Sequence, residues 1–155
     1  MKKLILAISI AAIALSCTKS DPVRDALLEK AGNLATVSDI QYDADYSNST
    51  VLGLFWDNEA ALDCGASSFS IVVSEEMFEF TDESGASNAL TFTVKSSDVP
   101  NNAIMIASSQ GLVSGTAYYV KIAAVYPGPS KSAYVYLLGE DGQPAKVIAG
   151  KGIQE

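Results

Sequence analysis

The sequence predicts an all-β domain behind a short apolar leader, and three runs of residues carry that expectation. In Leu112 to Val125 the second half alternates, with Tyr118, Val120, Ile122 and Ala124 on one face of an extended chain and Tyr119, Lys121, Ala123 and Val125 on the other. Val51 to Trp56 alternates too, placing Leu52, Leu54 and Trp56 inward. Phe69, Ile71 and Val73 repeat the pattern, with Ser70, Val72 and Ser74 facing outward.

The first half of the 112–125 stretch holds a Leu, a tight Gly115-Thr116 turn and then Tyr118. It resembles the tyrosine corner of immunoglobulin-like sandwiches, where a Tyr at the start of strand F sends its hydroxyl back to the backbone a few residues upstream. The ring then stays in the core while the hydroxyl ties down the turn. Leu-x-x-Gly-Thr-x-Tyr-x-Val-x-Ile-x-Ala is similar to the E–F corner and strand F of fibronectin type III domains, and Trp56 at the end of strand B is a second point of resemblance. The resemblance implies an immunoglobulin-like/fibronectin type III β-sandwich in which Trp56, Leu112 and Tyr118 are structural. It covers roughly residues 33–140.

On that reading strand A lies within Ala35 to Tyr42, strand C around Phe69 to Val73, and C′ over Met77 to Phe80. The connection Thr81 to Asn102 is longer than the family's, opens on the turn Asp82-Glu83-Ser84-Gly85 and holds one more strand, Leu90 to Lys95. Strand E is expected over Ala103 to Ala107 and strand G over Ser132 to Leu138. After the turn Gly139 to Pro144, the segment Ala145 to Ala149 is expected to hairpin back along an edge.

Ahead of this domain, Met1-Lys2-Lys3 and the twelve-residue apolar run Leu4 to Leu15, with Ser9 inside it, have the form of an export signal. Twelve residues make a helix of only about 18 Å, too short for a hydrocarbon layer of roughly 30 Å. The junction Ala14-Leu15-Ser16-Cys17 resembles a bacterial lipobox, although Ala14 stands where Leu is commoner in that family. The resemblance implies a signal peptide over 1–16, lipidation of Cys17, and an outer-membrane protein held in the cell envelope by its lipid. Ordinary signal-peptidase cleavage is the alternative, and Cys17 could then pair with Cys64. With Cys17 acylated, Cys64 is left over and is expected to be a small buried hydrophobe. Residues 17–33 then form an anchor, a linker and a short helix capped by Asp21, with Pro22 at its first position and Gly32 at its exit. Residues 34–155 form the sandwich with a C-terminal hairpin.

Charge narrows the partners. Without residues 1–16 the chain loses Lys2 and Lys3, leaving 8 basic against 18 acidic side chains, a net −10. Such a field argues against nucleic acid. Histidine is absent, which removes the most frequent general base and metal ligand. Asp43-x-Asp45-x-Ser47-Asn48 begins like a calcium loop, but Asn48 stands where Gly is needed and Leu54 where a bidentate Glu belongs. No metal or cofactor is therefore expected. Asn48-Ser49-Thr50 matches a glycosylation acceptor, a match that a bacterial lipobox makes uninformative.

Carboxylates are plentiful at Asp57, Glu59 and Asp63 and again at Glu75, Glu76, Glu79, Asp82 and Glu83. A small carbohydrate-active enzyme would need two of them facing each other across a cleft. The blander account is a solvated acidic surface blunting edge strands. The chain is accordingly read as non-enzymatic, a cell-envelope module for protein or glycan binding or scaffolding. The candidate binding residues are Tyr119, Tyr126, Tyr134 and Tyr136, which could form an aromatic platform for sugar rings on strands F and G. One register of strand G would instead turn Tyr134 and Tyr136 into the core or under the tail hairpin. The loops Asp57 to Ser68 and Pro127 to Lys131 offer an alternative surface.

Overall fold

Two antiparallel sheets share one apolar core in the computed structural model, which describes residues 34–77, 89–128 and 130–154. The chain divides into two compact units, 1–32 and 33–155, and every described residue belongs to the second. The leader, Cys17 and the expected helix after Asp21 lie outside the described residues.

The small sheet is built from β1 (Ser38–Tyr42), β2 (Val51–Asp57) and β5 (Ala103–Ala107), in the order β1-β2-β5. The large one holds β3 (Ser68–Ser74), β4 (Leu90–Lys95), β6 (Ala117–Tyr126), β9 (Lys146–Ile148) and β10 (Gly152–Gln154), in the order β10-β9-β6-β3-β4. Two short pieces, β7 (Ser130–Lys131) and β8 (Val135–Tyr136), also pair with β6. A five-residue helix, α1 (Glu59–Asp63), joins β2 to β3. Asp57 starts it by accepting the Glu59 N–H at 3.0 Å.

Alternation sets the core. Leu52, Leu54 and Trp56 of β2 and Ile106 of β5 meet Phe69, Ile71 and Val73 of β3 and Tyr118, Val120, Ile122 and Ala124 of β6. The rings of Trp56 and Phe69 lie 5.9 Å apart, tilted by 58°. Such a pair adds about 0.5–1.5 kcal/mol beyond the area it buries. At β1 the ladder to β2 shifts between Ser38 and Gln41, where Asp39 takes a positive φ of 48°. A short polar side chain tolerates that conformation better than a branched one.

Two strand expectations need correction, and a third, C′, falls largely outside the described residues. Met77 is in no strand, and the rest of the expected C′ lies outside the described residues. Strand G is broken: β7 and β8 flank a one-residue slip, bridged by Ser132, whose N–H reaches Ala124 O at 2.9 Å while its Oγ accepts the Ala124 N–H at 3.0 Å. A hydroxyl there stands in for the ladder bonds that a bulge removes. The segment after Pro144 does not double back. Ala117↔Ile148 and Tyr119↔Lys146 put β9 on the same edge of β6 as β8 and in the same direction, and it is β10 that returns along β9. Residues 138–144 are thus an excursion, closed by a Leu138↔Pro144 bridge and a Gly139 N–H to Gln143 O bond of 2.9 Å.

Candidate functional site

The four tyrosines proposed as a platform do not share a face. Tyr126 has the parity of Tyr118, so β6 turns it inward; it is buried, and its hydroxyl donates to Ala35 O at 2.6 Å. Burial raises its pKa above the ordinary 10.0, with the nearby Cys64 adding to the effect. Its place in the platform is therefore corrected: Tyr126 is a core residue.

Tyr119, Tyr134 and Tyr136 do belong to the outer face of the large sheet, each half-buried. Lysines occupy that face with them. Lys121 Nζ stands 4.5 Å from the Tyr134 ring centroid and Lys131 Nζ 5.8 Å from it, while Lys146 Nζ stands 5.1 Å from the Tyr119 ring. The Tyr134 hydroxyl also accepts from Lys131 Nζ at 3.3 Å and lies 3.3 Å from Ser70 Oγ. A ring whose face attracts an ammonium has that face committed. Lys121 is only 6% exposed and Val72 only 2%. Sequence alternation assigned this side of β3 to solvent; in the fold both sides are covered, so Ser70, Val72 and Ser74 are buried rather than exposed.

The residues of the corner are placed together. Tyr118 is buried and its hydroxyl accepts the Val113 N–H at 3.0 Å, with Leu112 and Trp56 buried in the same cluster. Among the described residues, Trp56 Nε1 is the buried side-chain polar atom without a hydrogen-bond partner.

The acidic motifs have structural employment. Asp43 Oδ1 accepts the N–H groups of Asp45 and Tyr46 at 3.1 and 3.3 Å, and Ser47 Oγ accepts that of Gly53 at 2.8 Å, closing the turn between β1 and β2. Among the described residues no group of three His, Cys, Asp or Glu could hold a metal ion. Asp57 serves α1 and accepts from Ser38 Oγ at 3.3 Å. Glu79, Asp82 and Glu83 lie outside the described residues. Cys64 is exposed at the end of α1, which corrects its expected burial; an exposed position follows from its place in a short polar connection rather than in a strand.

A cleft of about 560 Å³ is lined by Gln41, Tyr42, Tyr136, Leu138 and Ile153, and two more are open. One, of about 510 Å³, is lined by Tyr119, Glu140, Asp141, Pro144, Lys146 and Gln154. Its acids sit side by side in the exposed excursion, where Asp141 Oδ1 accepts the Gln143 N–H at 2.9 Å, so they do not face each other across the cleft. The other, of about 370 Å³, runs along the outer side of the small sheet between Tyr46, Gly53, Pro100, Ala103, Ile104 and Met105. Gly53 lets the turn at 46–47 lie close against β2 on one side of it, because a Cβ there would sit 3.1 Å from Ser47 Oγ and from the Tyr46 backbone. Tyr46 and Met105 are 64% and 59% exposed, an unusual amount of apolar surface side by side.

Beside this groove the small sheet ends. Bonds from Trp56 N–H to Asn102 O, 3.0 Å, and from Ser108 N–H to Thr50 O, 2.9 Å, bracket the β2–β5 ladder, so Ile104 and Ile106 direct their backbone groups at β2. Ala103, Met105 and Ala107 direct theirs away from it. Gln110 Oε1 accepts the Ala107 N–H at 2.9 Å, and Asn58 Nδ2 donates to Asn101 O at 3.2 Å. Between those two plugs, among the described residues, nothing pairs with Ala103 or Met105 along the outer edge. The sequence offers 103–107 as a strand; only the sheet order makes it an edge.

No protein-family model matches the chain, and no curated protein matches it either.

Proposed function

We propose that this chain is an exported bacterial lipoprotein, tethered through Cys17, which presents one fibronectin type III-like sandwich for contact with other protein rather than for catalysis. The tether reading rests on the leader and on Ser16-Cys17. The domain reading is supported by the Tyr118 hydroxyl that returns to Val113 N–H. The observation that carries the choice of protein over glycan is the occupation of the tyrosine faces by Lys121, Lys131 and Lys146. Sugar stacking needs an open ring face, whereas the β5 edge, whose own strand carries no charged side chain, and the largely apolar groove beside it offer what a polypeptide strand binds.

Two measurements test this. Palmitate labelling of the full chain in a bacterial host is expected, together with sedimentation in the membrane fraction, and both are lost in Cys17→Ala; a soluble, unlabelled wild type would end the tether reading. The detergent-solubilised chain applied to a glycan array is expected to give no signal. Retention of one sugar class, abolished by Tyr119→Ala, would replace protein contact by glycan capture.

A further inference from the structure

We propose that the open edge of β5 is a self-association site, at which two copies of this chain pair their β5 strands antiparallel about a two-fold axis through Ile104. The inference rests on the protein-contact reading above and names its partner. Proteins ordinarily blunt a sheet edge with charge, proline or a bulge. Here β5 is regularly paired with β2 from Ala103 to Ala107, and no charged side chain occurs between Val99 and Val120, although 18% of the chain is charged.

That neutrality selects the occupant. The chain as a whole carries a net charge of −8, so two copies repel each other wherever their acidic surfaces meet. The β5 edge is the complement of itself in this respect: neither copy brings a charge to it. A charged strand from another protein would find no counter-charge on β5 itself, and Asp43, which lines the adjoining groove, would repel an acidic one.

The hydrogen-bond pattern fixes the register. With Asn101 O and the Ala107 N–H already bonded, the groups on the edge that no described residue meets are the N–H and C=O of Ala103 and of Met105. A two-fold through Ile104 sets Ala103 against Met105 of the second copy and Met105 against its Ala103, so that four backbone bonds satisfy all of them. The three-stranded sheet becomes six-stranded. Met105 and Tyr46, exposed on the groove, are placed beside the join. Four bonds and a short apolar strip make a small interface, which suits a contact made between chains held on one membrane.

The register makes the test specific. Facing residues of a hydrogen-bonded antiparallel pair lie about 5.5 Å apart at Cα, within disulfide range. In the full chain with Cys17 and Cys64 replaced by Ser, mixing Ala103→Cys with Met105→Cys under mild oxidation is expected to give mostly the mixed disulfide, several-fold above either homodimer. The full wild-type chain in detergent is expected to show concentration-dependent dimers by sedimentation, and Met105→Lys, at an exposed position, to weaken them at least tenfold with the circular dichroism unchanged. A monomer at all concentrations, a dimer indifferent to Met105→Lys, or disulfides without preference for the 103–105 pair would each overturn the proposal. A monomer that binds another protein's strand at this edge, again blocked by Met105→Lys, overturns the second copy but spares the protein-contact reading. A monomer that binds only sugar overturns both.

Discussion

The Tyr118 hydroxyl, on a ring otherwise sealed in the core, accepts the backbone N–H of Val113 at 3.0 Å and so fixes the bend that leads into β6. A single oxygen thereby couples the core to a loop. Tyr118→Phe leaves the packing in place and the Val113 N–H without its partner. A loss of about 1–3 kcal/mol is expected from urea unfolding, with the β spectrum unchanged; a loss below a few tenths would mean that water takes over the bond.

Trp56 poses the opposite case, a buried donor without a partner. Trp56→Ala is expected to cost roughly 3–5 kcal/mol, from lost burial and the cavity left beside Phe69. Trp56→Phe should cost well under half of that, because the N–H it deletes contributes nothing. Equal losses in thermal or urea unfolding would contradict this account.

Two glycines with the same φ of +73° separate backbone strain from packing. A Cβ on Gly142 meets nothing within 4 Å, whereas one on Gly150 would sit 2.7 Å from the Asn48 carbonyl carbon and the Ser49 nitrogen. Gly142→Ala is expected to cost about 1–2 kcal/mol, the price of a left-handed residue. Gly150→Ala should cost about 1–3 kcal/mol more, since overpacking against backbone adds to it. Paired unfolding curves of the two variants provide the comparison.

The phenol of Tyr126 gives stability an alkaline limit. Its folded pKa is raised above 10.0 by burial first and by the nearby Cys64 second. In the window between the unfolded value and the raised one, the unfolded chain has lost a proton that the folded chain keeps. Stability is therefore full below pH 10 and declines as pH climbs through that window. The urea midpoint followed from pH 8 to 11 should fall more steeply in the wild type than in Tyr126→Phe, which begins lower for want of the Ala35 bond.

Period-two alternation located β2, β3 and β6 well, because each buries one continuous face and a slip of one residue would expose it. The same alternation misjudged the other side of β3, since it reports which residues are apolar and not which elements lie over them. Strand G was less legible still. Its break depends on Ser132 replacing a ladder bond with its hydroxyl, and a serine gives no such signal in sequence. The parity that put Tyr118 in the core also puts Tyr126 there, eight residues on, so this part of the platform could have been excluded from the chain alone. The edge at β5 could not, since sheet order is decided by long-range pairing.

The excursion between Leu138 and Pro144 has a consequence for the order in which the molecule is made. Residues 117–119 acquire their neighbour on one side only when 146–148 arrive, and the turn at 48–50 meets Gly150 later still. A ribosome that has released the chain as far as Tyr136 has therefore produced a ladder with its first rungs missing. Closure waits on a stretch synthesised some thirty residues after the rungs it completes.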